Sequence, residues 1–90
     1  ICEIADNTDL PIVLMGDFNA SPDEETLKPL YERFSDTLKD SDVRTFPSDS
    51  PRIKIDYIFY RGVECKNTKV INEVVSDHLP IITEITEVLL

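Results

Sequence analysis

Ninety residues with 18 acids against 9 bases make one domain at most, with a limited core and a net charge of −9 that repels polyanions unless bases gather somewhere. The apolar content of 41% is ordinary for a globular chain, no run approaches the roughly 20 apolar residues that span a bilayer, and no basic-then-apolar leader opens the sequence. Two cysteines, Cys2 and Cys65, are too few for a disulfide scaffold and too distant for a zinc knuckle, so free thiols are expected.

The chain starts without Met on "ICEIA", which reads as the tail of a helix. A piece of a longer protein is therefore expected, and the compartment stays undetermined. "DNTDLP" (6–11) is a polar turn ending in Pro11; its Asp6, Asn7 and Asp9 do not have calcium-loop spacing. "PIVLM" (11–15) is an apolar run of strand length, the pattern of a strand covered on both faces, with Gly16 ending it. "SPDE" (21–24) then announces a helix: Ser21 as cap, Pro22 at the first helical position, Glu24 three residues after the cap. Leu27, Leu30, Tyr31 and Phe34 give that helix an apolar face, and Pro29 predicts a kink or two short helices.

Residues 35–51 read as loop, with one turn near Leu38 and a short extended piece at Thr45–Phe46. "RIKIDYIFYR" (52–61) is a strand by composition, with Ile53, Ile55, Tyr57 and Phe59 on one face and Lys54, Asp56, Ile58 and Tyr60 on the other. Gly62 turns the chain, "VECKNTKVINEVV" (63–75) reads as one or two strands, and "PIITEITEV" (80–88) as the last, with antiparallel neighbours among these final strands. Arg52, Lys54, Arg61, Lys66 and Lys69 form the densest basic group; interleaved with apolar residues, they read as solvated strand faces ahead of a nucleic-acid stripe.

Three placements stand out chemically. Asp56 lies in the most apolar strand, where a carboxylate must be paired, hydrogen-bonded or on a metal unless that face is open to water. "SDHLP" (76–80) holds the sole histidine, His78, beside an acid and just before a strand. A surface His is often inert, but Asp56 on a neighbouring strand would fix it in one tautomer, giving an oriented acid/base or phosphate-binding group. Asp17 and Asn19 follow a buried strand, where side chains reach a crevice; a plain strand-to-helix turn is the bland reading, yet Phe18 between them is no usual turn residue.

Taken together, "GDFN" (16–19), "IDYIF" (55–59) and "SDH" (76–78), in that order, resemble the C-terminal half of the endonuclease/exonuclease/phosphatase superfamily, the metal-dependent phosphoesterases with the DNase-I-like fold. The resemblance runs from about residue 11 to 88 and takes in Thr45–Phe46 ahead of "RIKIDYIF". It implies an α/β fold: the C-terminal half of a four-layer α/β/β/α sandwich, one mostly antiparallel or mixed sheet with a covering helix, residues 1–90 being part of a single domain. It also implies roles. Asp17 would orient or deprotonate the attacking water and serve the metal, and Asn19 would bind the scissile phosphate. Asp56 would hold His78, Asp77 would bind or orient Mg2+ or Mn2+, and His78 would contact the phosphate; Ser76 would add a supporting hydrogen bond.

The substrate class is then a phosphate monoester or diester: nucleic acid, phosphoinositide, phospholipid or nucleotide. The acidic balance tilts away from duplex DNA. Relatives draw an Asn, the principal metal-ligating Glu and a His or Tyr from an N-terminal half that this sequence lacks. That half is an expected partner, the chain alone is expected to be inactive, and either self-association through an uncovered sheet face or a locally rearranged fold is expected in its absence. The competing reading is a non-catalytic interaction module that keeps the fold; retention of Asp17, Asn19, Asp56, Asp77 and His78 together argues against it, as it does against a plain α/β domain with surface acids.

Overall fold

Pro11, which suits the start of a strand, leads into β1 (Ile12–Asp17), and the run pairs antiparallel along its length with β3 (Asp56–Arg61) in a computed structural model that describes residues 1–39 and 41–89. Ile12 lies opposite Arg61 and Asp17 opposite Asp56. The other edge of β3 takes the two-residue β2 (Ser35–Asp36), so the order is β1-β3-β2. The most apolar strand is thus central, and Tyr57, Ile58 and Phe59 are all buried.

Strand alternation sends Tyr57 and Phe59 to one face of this sheet. There they meet Ala5 of α1 (Cys2–Asp6), Ala20, Leu27, Leu30 and Phe34, with Ile12, Leu14, Phe18 and Tyr31 packed around them. Phe59 sits edge-on to Phe18 and Tyr31 and stacks on Tyr57. Burying each such ring contributes about 2–3 kcal/mol, so this aromatic cluster is the main stabilising feature of a small core. Asp56 and Ile58 alternate to the opposite face.

β4 (Val63–Val70) and β5 (Ile81–Val88) pair antiparallel as a second ladder with two register shifts. The architecture is mixed α/β with antiparallel sheets and few helices, as expected for a piece of a DNase-I-like fold, but the strands divide between two ladders where one sheet was expected. Gly62 makes the division: it joins β3 to β4 at φ 72°, and a Cβ there would lie 3.0 Å from Pro11 Cα. β3 accordingly pairs with β1 and β2, not with the strands that follow it.

Several local expectations change. β1 is an edge strand with Met15 exposed, so it is covered on one face only, and it runs on through Gly16 to Asp17. The expected helix from Ser21 reduces to a 3-10 turn at Glu25–Leu27 and α2 (Lys28–Tyr31). Two prolines explain this: Pro22 lies in a turn closed by Glu24 N–H to Ser21 O, and Pro29 sits in the first turn of α2, where no N–H is required. Glu24 still reaches back to accept from Ser21 N–H, half of a capping box. The strand expected from Arg52 begins only at Asp56; ahead of it, Lys54 and Ile55 are both buried, which ends the alternation.

Lys54 is not on a solvated face. Its Nζ lies 2.7 Å from Asp36 Oδ2 and over the Tyr57 ring, while Tyr31 and the Leu38 amide donate to the same carboxylate. Arg61 is likewise engaged, donating to the carbonyls of Ala5, Thr8 and Leu10 and so holding α1 against β3. Lys66 does fit the solvated reading, exposed and paired with Glu64. Both cysteines are free. Asp40, within the expected loop, lies outside the described residues. No described helix is long and apolar enough to cross a membrane.

Candidate active site

Antiparallel register brings the first two acids together: β1 ends on Asp17 where β3 begins on Asp56. The chain leaves β1 through a tightly held turn. Phe18 N–H donates to Ile55 O at 2.9 Å, and its ring inserts edge-on against Tyr57 and Phe59. Asn19 follows at φ 50°, a conformation that Asn tolerates, and its N–H donates to Asp17 Oδ1 at 2.7 Å. Tyr57 completes the hold, its hydroxyl donating to Ala20 O at 2.7 Å. Phe18 is therefore the anchor of the turn. One oxygen of Asp17, Oδ1, is tied back to the backbone, and Oδ2 is the one on the side of His78.

His78 arrives on the loop before β5. Its Nδ1 lies 2.8 Å from Asp56 Oδ2, and its Nε2 lies 3.6 Å from Asp17 Oδ2. The first is a hydrogen bond in which Nδ1–H donates; the second is too long for one and leaves Nε2 available. Exposure of the three side chains rises from 17% for Asp56 through 25% for His78 to 46% for Asp17, so the partner is sheltered and the working edge is wet. The hydrogen bond to Asp56 is the main cause that raises the His78 pKa above 6.5, with the charges of Asp56, Asp17 and Asp77 adding to it against partial burial. Asp17, Asp56 and His78 each offer a ligand atom within 4.8 Å of the others. Beside them opens a cleft of about 350 Å3, walled by Met15, Ile58, Leu79, Pro80 and Ile81.

A family model described as "Endonuclease/Exonuclease/phosphatase family" matches residues 1–78. The chain belongs to that family. No curated protein and no solved structure matches it. Membership places the chain among phosphoesterases and nuclease-like hydrolases, a group that generally depends on a metal, and the acid–His cluster has donors of the right kind.

The remaining singled-out residues take different positions. Asn19 shares the Asp17 turn, but its side chain is exposed and makes no hydrogen bond among the described residues. Asp77 is exposed and outside the three-residue cluster; its carbonyl accepts from Ser48 N–H at 2.8 Å. Ser76 Oγ bonds within the loop, to the amide and carbonyl of His78. Tyr57 and Ser48 were not singled out from sequence, and Phe46, whose ring lies 4.7 Å from the imidazole, appeared there only as part of a motif. The one signal was the Thr45–Phe46 pair itself.

Proposed function

We propose that this chain carries the Asp–His part of the catalytic centre of a divalent-metal-dependent phosphoesterase that hydrolyses phosphate monoesters or diesters with an aligned water. The observation that carries the reading is the oriented imidazole: Nδ1 held by Asp56 at 2.8 Å, Nε2 turned toward Asp17. Asp56 fixes the ring and favours its protonated form, so His78 presents Nε2–H to a phosphoryl oxygen and stabilises the charge that develops there. Asp17, with Oδ1 anchored, directs Oδ2 at a water and accepts its proton as the water oxygen bonds to phosphorus and the ester oxygen leaves. Asn19 donates its amide to the same phosphate.

The donor set fits a hard cation in part. His78 Nδ1 is occupied by Asp56, leaving the carboxylates of Asp17 and, from the neighbouring loop, Asp77 to hold Mg2+ or Mn2+, with further oxygens required from outside. When bound, the ion supplies charge neutralisation at the phosphate. The missing ligands and the uncovered apolar surface are together the reason to propose a further part of the same domain as the partner of this chain, with self-association where that part is absent. Nucleic acid, phosphoinositide, phospholipid and nucleotide esters all remain substrates within this reading.

The test is hydrolysis of a panel of phosphomonoesters and diesters with Mg2+ or Mn2+ by the full-length protein containing this chain. Asp17→Asn and His78→Ala should each lower kcat by about 10²- to 10⁴-fold with the circular dichroism unchanged. Full turnover in both variants would overturn the assignment.

A further inference from the structure

Neither end of the Asp56–His78 hydrogen bond stands alone. Asp56 opens β3 just after an irregular lead, and His78 sits on a loop outside any ladder. Residues 45–48 connect the two. Thr45 is fully buried and bonds in three directions: its N–H donates to Ile53 O at 2.8 Å, its Oγ1 accepts from Ile55 N–H at 3.2 Å, and its carbonyl accepts from Leu79 N–H at 2.8 Å. Ile55 adjoins Asp56 and Leu79 adjoins His78. One residue thus fixes the backbone beside both members of the pair. Ser48 grips the other flank, its N–H donating to Asp77 O and its hydroxyl to Ser76 O, while the Phe46 ring lies against the imidazole.

We propose that the segment Thr45–Ser48 is a strap whose side chains Thr45 and Ser48 are positioning residues for His78, setting the imidazole against Asp56. The inference rests on the phosphoesterase reading for its purpose, but not for its test. The physical ground is that a buried hydroxyl is costly unless bonded, and the Thr45 hydroxyl is spent on the one amide that precedes Asp56. Removing Oγ1 strands the Ile55 N–H in the interior and releases the start of β3; removing the Ser48 hydroxyl frees the carbonyl of Ser76 two residues before the ring. A hydrogen bond holds a ring in one tautomer only while both partners stay within a few tenths of an ångström.

The experiment is a side-chain 1H–15N correlation spectrum of the 15N-histidine-labelled chain in alkaline buffer without metal or substrate, where the sole histidine gives an unambiguous signal. The native chain should show His78 as the Nδ1–H tautomer with a slowly exchanging proton. Thr45→Val and Ser48→Ala should each lose that proton signal and move both ring nitrogens toward tautomer-averaged shifts, while Thr45→Ser should retain the native pattern. Retention of the fixed tautomer in folded Thr45→Val and Ser48→Ala would overturn the strap. Should Thr45→Val not fold, Ser48→Ala decides alone, native-like signals overturning and averaged signals supporting it. A chain that shows the strap effect yet lacks turnover in the full-length protein would refute the phosphoesterase reading and leave this one standing.

Discussion

A histidine whose folded-state pKa is raised binds its proton more tightly in the folded chain than in the unfolded one. For His78 the stabilisation is fully present below about 6.5, its ordinary value, and is lost as pH rises through the higher folded value. Stability in urea should therefore fall with pH across that window. Asp56→Asn removes the first cause of the shift, so its urea midpoint should change less across the same window, and the ring should titrate closer to 6.5 by NMR. An unchanged pH slope in Asp56→Asn would show that the 2.8 Å contact does not set the charge of the ring. The same residues illustrate what a single position discloses. A carboxylate in "IDYIF" and the chain's only His each call for a partner, and the pair meets. Thr45 gives less notice: in sequence it is only part of a short extended piece within a loop, and only the folded chain shows it to be the least exposed polar side chain present among the described residues.

At the level of elements, apolar runs announced β1, β3 and β5 because a strand needs little beyond its own composition to be recognised, although β5 leaves Ile82, Ile85 and Val88 exposed. The helix expected from Ser21 failed for the opposite reason: its apolar spacing is real, and Leu27, Leu30 and Phe34 are buried, but Pro22 lies in a closed turn and Pro29, interior to the expected helix, has no N–H for the ladder that the spacing presumes. Lys54 departs from the expected solvated face because the alternation of β3 begins only at Asp56, and its partner Asp36 lies 18 residues away, beyond any local pattern. That pair joins β2 to the lead of β3 and should be costly to break but cheap to replace. Lys54→Met leaves Asp36 charged and buried, and should cost about 3–5 kcal/mol in urea unfolding, whereas Lys54→Met with Asp36→Leu should recover most of it. Equal losses in the single and double variants would mean that the contribution comes from the Tyr31 and Leu38 bonds to Asp36. Gly62 makes a second case between elements. Gly62→Ala must hold φ 72° and bring a Cβ against the Pro11 backbone, so about 1–3 kcal/mol should be lost, with the near-ultraviolet spectrum reporting the disturbed packing.

For the whole molecule, surface area is the informative quantity. A compact monomer of 10.3 kDa exposes about 5,400 Å2 by the usual scaling, whereas this chain exposes 6013 Å2, and its radius of gyration of 13.4 Å exceeds the roughly 12 Å of a self-contained domain of this length. The excess is apolar in part: Met15, Val74, Val75, Ile82, Ile85 and Val88 are all exposed, all but Met15 between Val74 and the end of β5. With a net charge of −9, long-range repulsion opposes association, and raising the salt concentration screens it while leaving apolar attraction in place. The isolated chain should accordingly bind an apolar-surface dye and show a light-scattering mass above 10.3 kDa that grows with salt. Ile82→Thr combined with Ile85→Thr keeps strand-compatible, β-branched side chains and should shift the mass toward the monomer with less dye bound. A native chain that stays monomeric and dye-free at high salt would mean that its second ladder needs no covering partner, and the proposal that another part of the domain packs there would fall with it.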